Sequence, residues 1–95
     1  MLTVFAEHYL TPEGRMYFPN WTTELGQALT SCRGFQKLEV VEDVERPDRL
    51  LLLLGFEDTE SLMRWSSSQE HRRLAALLER HQLRKPYTQL LAATG

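Results

Sequence analysis

The stretch from Asp58 to His81, which reads DTESLMRWSSSQEHRRLAALLERH, decides how the rest of the chain is arranged. Its pattern predicts a short helix, a break at the serines, and a second helix started by a Ser67–Glu70 capping box. At about 100° per residue, His71 and His81 fall on the apolar face of that second helix, beside its leucines. Two imidazoles turned toward an apolar interior indicate either core histidines that are hydrogen-bonded within the protein or a ligand pocket.

Outward from this stretch, hydrophobic periodicity predicts the order β-α-β-β-α-β, with the interrupted helix counted as one. The predicted bounds are a strand over 2–10, a turn over 11–14, a helix over 18–29, strands over 35–44 and 49–56, helices over 58–65 and 67–81, and a strand over 87–93. Pro19 fits the first turn of the first helix, and Gly34 fits a left-handed cap after it. The order is that of a ferredoxin-like α+β domain with an antiparallel sheet and helices on one face. Residues 1–95 are expected to form a single domain.

Composition narrows the classes of function. The net charge is −2, so the chain lacks the excess of positive charge that binding to nucleic acid or to an anionic membrane surface requires. Cys32 is the one cysteine, so neither an internal disulfide nor a cysteine zinc cluster is expected. The opening MLTVFAEHYL lacks the features of a signal peptide, and no apolar run approaches the length of a membrane span. We therefore expect a cytoplasmic protein.

The leucine run 50–54 predicts a partner. A strand in a sheet with one wet face alternates apolar and polar residues, and these leucines do not. Both faces of the sheet must therefore be covered, although the helices of the chain can cover only one. The simplest cover for the other face is a second copy, which predicts a homodimer packed sheet to sheet. The alternative is a C-terminal segment that folds over this face.

Strand order, length and local motifs together resemble the antibiotic biosynthesis monooxygenase family of dimeric α+β barrels. The motifs are Val4–His8 in the first strand, Gly34–Phe35 at the start of the second, Phe56–Asp58 before the helix, and the Trp-x-x-Ser-x-x-His run Trp65–His71. The resemblance implies a dimer with a small cavity in each subunit between sheet and helices. Some members of the family are cofactor-free oxygenases that convert polyphenolic aromatics to quinones, and others bind and degrade haem.

Two family patterns can be compared with this chain residue by residue. The haem-degrading members carry an Asn on the first strand, which is His8 here, and a Trp that Trp65 matches. Their iron-ligating His corresponds to a position near Ala75, which has no ligating atom. The quinone-forming members place an Asn one turn before the Trp, and Ser61 stands there in this chain. The resemblance thus implies quinone formation more than haem breakdown.

Cofactor-free oxygenation needs a general base, a donor for the developing oxyanion, and an enclosed apolar space. We expect His71 to be the base and Trp65 to stack on an aromatic substrate and orient it, so these two are the candidate catalytic residues. The candidate substrate-binding residues are His8, Ser61, Trp21 and Tyr87. The expected ligand is a small electron-rich aromatic, and neither a cofactor nor a metal is expected.

Other interpretations of the same residues remain open. His71 and His8 could be core histidines bonded to backbone carbonyls, and His81 could interact with a helix dipole. The three histidines could also form a metal site if the fold brings them together. At the level of the whole protein, the alternatives are a non-catalytic dimer that binds a small ligand or haem, and a structural domain whose own Trp and Leu side chains fill the cavity.

Overall fold

The computed structural model describes residues 1–94 and confirms the ferredoxin-like α+β fold. Its elements are β1 (Leu2–His8), α1 (Pro12–Leu29), β2 (Phe35–Val41), β3 (Leu50–Phe56), α2 (Thr59–Ser66), α3 (Gln69–Glu79) and β4 (Tyr87–Ala92). Every predicted element is present. Four of them end earlier than predicted: β1 at residue 8, β2 at 41, α3 at 79 and β4 at 92.

The start of α1 differs from the prediction. Thr11 is the N-cap, and its hydroxyl oxygen accepts a hydrogen bond from the Gly14 N–H at 3.2 Å. Pro12 follows at the first helical position, where its missing N–H costs no hydrogen bond. The turn predicted over 11–14 is therefore wrong. Pro19 lies inside the helix rather than in its first turn.

The sheet is antiparallel with the strand order β2-β3-β1-β4, so β1 and β3 occupy its centre. Successive side chains of a strand point to opposite faces, and this register sorts them into two sets. The inner face, packed against the helices, carries Val4, Ala6, His8, Leu52, Leu54, Phe56, Thr88 and Leu90. The outer face carries Thr3, Phe5, Glu7, Leu51, Leu53, Tyr87 and Leu91. Leucines of β3 thus stand on both faces, as the lack of alternation predicts.

The hydrophobic core lies between the inner face and the helices. Phe56, Leu29 and Leu74 are at most 1% exposed, and the indoles of Trp21 and Trp65 are each 5% exposed. These side chains come from strand β3 and from all three helices, α1, α2 and α3. Trp21 lies on α1 and Trp65 on α2, so each of these helices contributes one indole to the core.

The C-terminal segment forms β4, an edge strand that pairs with β1. It does not fold over the outer face, so that alternative for covering the leucine run is wrong. On the outer face, Arg49 binds the Glu7 carboxylate through two nitrogens at 2.7 and 3.0 Å and the Asp43 carboxylate at 2.9 Å. The Arg49 hydrogen bonds and charge lower the pKa of Glu7 below its ordinary value.

Candidate functional site

A cavity of about 890 Å³ lies between the inner face of the sheet and helices α1, α2 and α3. Its walls are mostly apolar side chains from β1, β3, β4 and the three helices. The cavity-lining residues include Val4, Ala6, His8, Trp21, Leu25, Leu52, Leu54, Trp65, His71, Leu74, Ala75, Thr88 and Leu90. A volume of this size accommodates a small organic molecule, so the core is not filled by its own side chains alone.

The break between α2 and α3 positions Trp65 and His71 against each other. The Ser68 hydroxyl donates to the Trp65 carbonyl oxygen at 2.6 Å and accepts from the His71 N–H at 3.1 Å. Ser68 is thus the N-cap of α3, a role that the sequence pattern assigned wrongly to Ser67. The two rings lie 5.6 Å apart, centroid to centroid, with an interplanar angle of 80°. One serine therefore fixes the backbone of both candidate catalytic residues.

His71 lines the cavity as a neutral imidazole. Burial is the main cause that lowers its pKa, and the neighbouring Arg72 charge lowers it further. The Nδ1 atom is enclosed and has no hydrogen-bond partner within residues 1–94. The His71 ring donates to no backbone carbonyl among the described residues, so the interpretation of His71 as a core histidine bonded to such a carbonyl is wrong.

His8 lines the same cavity from the end of the central strand β1. Its ring lies against two aromatic rings of α1, with centroid distances of 5.6 Å to Phe18 and 5.4 Å to Trp21. Burial lowers the pKa of His8 to about 4, so the ring is neutral near pH 7. Its Nδ1 is also enclosed without a partner in the described part of the chain, so this core interpretation is wrong as well.

Trp21 contributes a wall of the cavity, but its N–H is already bonded. The indole Nε1 of Trp21 donates to the Leu74 carbonyl oxygen at 2.8 Å, which ties α1 to α3. Trp65, by contrast, donates its indole N–H to no acceptor within residues 1–94. Of the two indoles, Trp65 is the better candidate for a hydrogen bond to a ligand.

Two of the predicted substrate-binding residues lie outside the cavity. Ser61 is 2% exposed, packs beside Gly34, and donates its hydroxyl to the Asp58 carboxylate at 2.8 Å. Tyr87 stands on the outer face, 50% exposed, with its ring edge-on to Phe5. Neither side chain lines the cavity, so neither is placed to bind a ligand there.

His81 lies beyond the end of α3, at the start of α1 rather than at the cavity. Its ring centroid is 5.8 Å from that of Tyr17, and its carbonyl accepts from the Thr11 N–H at 2.8 Å. The three histidines therefore do not converge. Among the described residues, no group of three His, Cys, Asp or Glu side chains is arranged to hold a metal ion.

Several residues at the open side of the cavity were missed by the sequence analysis. Met63 on α2 and Leu90 on β4 line it although they are 63% and 58% exposed. A helix periodicity could have indicated Met63, which is one turn from Thr59 on the same face. Nothing in the sequence of β4 indicates which of its faces is the inner one, since Leu90 and Leu91 are adjacent. Ala75, near which the resemblance places the iron-ligating His of the haem-degrading members, lines the cavity and offers no donor atom.

Comparison with known proteins gives the family. The family model described as antibiotic biosynthesis monooxygenase matches residues 1–77, which is most of the chain. This protein belongs to that family. No curated protein matches its sequence. No helix in the described range 1–94 combines the length and the apolar character that crossing a membrane requires.

Solved structures confirm the fold of this family member. A conserved protein from Methanosarcina mazei Go1 has a TM-score of 0.86 at 20% identity, covering 98% of this chain and 92% of that one. A structure titled antibiotic biosynthesis monooxygenase has a TM-score of 0.84 at 20% identity, covering both chains completely (100% and 100%). Rv0793 from Mycobacterium tuberculosis has a TM-score of 0.85 at 15% identity, covering 99% of this chain and 95% of that one.

Proposed function

We propose that this family member is a cofactor-independent monooxygenase that oxidises a small electron-rich aromatic, a quinol or polyphenol, with dioxygen. The observation that carries the proposal is the apolar cavity in which Trp65 and a neutral His71 are held against each other. Trp65 offers a flat surface for stacking and an indole N–H for a ligand oxygen. His71 lies beside that surface, where the oxygen of a stacked aromatic would come within its reach.

The chemistry uses the electrons of the substrate itself. An ionised polyphenol carries carbanion character on a ring carbon, and that carbon forms a C–O bond with dioxygen to give a hydroperoxide. Loss of water breaks the O–O bond and leaves a carbonyl, so that a phenol O–H, a ring C–H and O₂ become the two carbonyls of a quinone and H₂O. The substrate loses four electrons and dioxygen gains four, which balances without a further reductant. The protein contributes an apolar cavity that encloses the substrate and groups that stabilise the developing oxyanion.

We also propose that the protein works as a homodimer packed through the outer faces of its sheets. Leu53 and Phe5 of the central strands stand on that face, and Leu91 of β4 beside them is 44% exposed. A second copy would remove this apolar surface from water, which favours association. It would leave the cavity accessible, since the cavity lies on the inner side of each sheet.

The first test is oxygen uptake by the purified protein with a panel of hydroquinones, catechols and anthrones. We expect uptake above the spontaneous rate, with a decrease of about 10²-fold in His71→Ala because an oxyanion-stabilising group is lost. The matched control is His81→Ala, which removes a histidine outside the cavity. Equal rates for wild type and His71→Ala across the panel would refute the assignment of His71.

A second candidate function is non-catalytic binding of a small apolar ligand. It is favoured by the position of Ser61, which points away from the cavity and so leaves the family's polar position before Trp65 unused. This function predicts saturable quenching of indole fluorescence by an aromatic ligand without any oxygen uptake. A ligand that quenches the indoles and also consumes oxygen would exclude it.

A further inference from the structure

We propose that His8 and His71 act as neutral hydrogen-bond donors through Nε2–H, so that the cavity selects an aromatic that presents an oxyanion or carbonyl oxygen to them. The inference deepens the proposed function and rests on it for the aromatic class of the ligand. It replaces the general-base role that the sequence suggests for His71.

The geometry of the rings carries the first step. Both imidazoles line the same cavity, one from the end of the central strand β1 and one from the first turn of α3. In both, Nδ1 is the nitrogen that is enclosed and has no partner within residues 1–94. Nε2 of each ring is therefore the nitrogen that can reach a ligand in the cavity.

The ring nitrogen that carries the proton is decided by the free-energy cost of enclosing an N–H donor without an acceptor. A neutral imidazole has one N–H donor and one acceptor nitrogen. Placing the proton on Nδ1 would enclose a donor with nothing to accept it, whereas placing it on Nε2 lets the N–H meet water or a ligand. Unpaired acceptors are also tolerated more often in protein interiors than unpaired donors. The Nε2–H tautomer is therefore favoured in both rings.

The same geometry argues against a base. To take a proton at Nε2, His71 would first need the unfavourable Nδ1–H tautomer, and the resulting imidazolium would enclose a charged donor. In enzymes that use histidine as a base, a carboxylate usually accepts from Nδ1–H and stabilises the imidazolium. No such carboxylate is present, since neither His71 nor His8 forms an ion pair or a side-chain hydrogen bond among the described residues. Arg72 and Glu79 line the cavity, but both are exposed.

The consequence is a chemical class of substrate. Two neutral donors, with the indole N–H of Trp65 near one of them, stabilise negative charge on oxygen and cannot remove a proton. The substrate must therefore ionise without help from these rings, which requires an acidic phenol or an enolisable ketone. A phenol whose hydroxyl is methylated lacks the oxyanion and should be rejected.

The tautomers can be measured directly on the ligand-free wild-type protein. Long-range ¹H–¹⁵N correlation spectra distinguish a protonated from an unprotonated ring nitrogen, and the His8→Gln and His71→Gln variants assign the signals. We expect Nε2 protonated and Nδ1 unprotonated in both rings at neutral pH, with His81 as the internal comparison. A protonated Nδ1 in either ring would overturn the assignment for that ring. The result does not depend on turnover, so it can stand even if the oxygenase proposal fails.

Ligand binding tests the selectivity with a probe that is not oxidised. We expect 4-nitrophenolate to bind at least about tenfold more tightly than 4-nitroanisole, because the ether cannot carry the charge that the donors stabilise. His71→Gln places an amide N–H near the position of Nε2 and should keep this preference, while His71→Leu should weaken it, because only the His8 donor remains. Equal binding of the two probes by the wild type, or the same loss in both variants, would contradict the proposal.

Discussion

The His8 ring is the residue whose burial has the clearest consequence for stability. Its pKa is lowered to about 4 in the folded protein, compared with 6.5 for an exposed histidine. Below pH 6.5 the unfolded chain therefore binds a proton that the folded chain does not, so stability falls as the pH falls from about 6.5 to about 4. The loss from this residue should approach about 3 kcal/mol at the acid end of that window.

Urea unfolding at a series of pH values between 7 and 4 measures this dependence. The difference between the wild type and His8→Gln isolates the contribution of His8, because His71 titrates in both proteins. The carboxylates with lowered pKa values, Glu7, Asp43 and Asp58, are present in both proteins, so their contribution also cancels in this difference. A stability curve for His8→Gln parallel to that of the wild type would show that His8 is not held neutral.

Gly34 is the residue where backbone and packing both exclude a side chain. Its φ is +87°, in the left-handed region, and a Cβ there would overlap the Ser61 hydroxyl. We expect Gly34→Ala to lower the free energy of unfolding by about 2–4 kcal/mol from backbone strain and overpacking. Gly26→Ala is the matched control, because its Cβ would meet Leu38 at an ordinary 3.5 Å. That variant should be neutral or stabilised by up to about 1 kcal/mol.

Chemical denaturation of the two glycine variants and the wild type, at equal temperature and pH, measures their free energies of unfolding and checks both predictions. Similar stabilities would mean that Ser61 moves aside and that the turn accepts a side chain. The left-handed cap at Gly34 was predictable, because a glycine after the last apolar residue of a helix usually takes this conformation.

At the scale of elements, the break between α2 and α3 is the feature on which the site depends. Ser68 caps α3 and also bonds back to α2, so its hydroxyl serves two helix ends. We expect Ser68→Ala to cost about 1 kcal/mol in the free energy of unfolding. It should also loosen the relative positions of Trp65 and His71, which the oxygen-uptake or probe-binding measurements would report as weaker activity or affinity.

Ser67→Ala is the matched control for the cap. The Ser67 hydroxyl donates to the carbonyls of Met63 and Arg64 at the end of α2. Ser67 is exposed, so water can replace its hydroxyl in these hydrogen bonds. Its loss should change the free energy of unfolding by less than about 0.5 kcal/mol. If Ser67→Ala were the more damaging substitution, the cap assigned from the structure would be wrong.

The elements themselves were largely predictable, and the errors have physical causes. Thr11, Pro12 and Gly14 have the composition of a turn, yet threonine is also a helix cap and proline is favoured at the first helical position. The serines at 66–68 offered more than one capping choice, and local sequence could not decide among them. Helix periodicity correctly turned His71 toward the cavity, but it turned His81 the same way, and α3 ends before that residue. It could not place Tyr87, because the face of an edge strand is set by its register with β1.

At the scale of the whole molecule, the two faces of the sheet have separate roles. The inner face, with the helices, encloses the cavity, and the outer face carries the Arg49–Glu7–Asp43 ion pairs and a group of apolar side chains. A domain of 95 residues buries only about two thirds of its unfolded surface, so it gains stability when a partner covers more. The leucine run predicted this second apolar face, because its side chains had to go to both sides of β3.

The proposed dimer gives the last prediction. Leu91 lies on the outer face and is 44% exposed, so a glutamate there would place a charge in the interface of each copy. A two-fold axis makes every interface substitution count twice, and an unpaired buried charge is costly. We therefore expect Leu91→Glu to raise the dimer dissociation constant by about tenfold or more.

Sedimentation equilibrium of the wild type and two variants tests the prediction. Met16→Glu is the matched control, because Met16 is 83% exposed on α1, in the helix layer on the opposite side of the sheet. We expect the wild type and Met16→Glu to be dimers and Leu91→Glu to shift toward monomer. A monomeric wild type would refute the dimer. A dimer unaffected by Leu91→Glu would place the interface elsewhere, and Leu53 on the outer face of β3 would then remain partly exposed in the assembled protein.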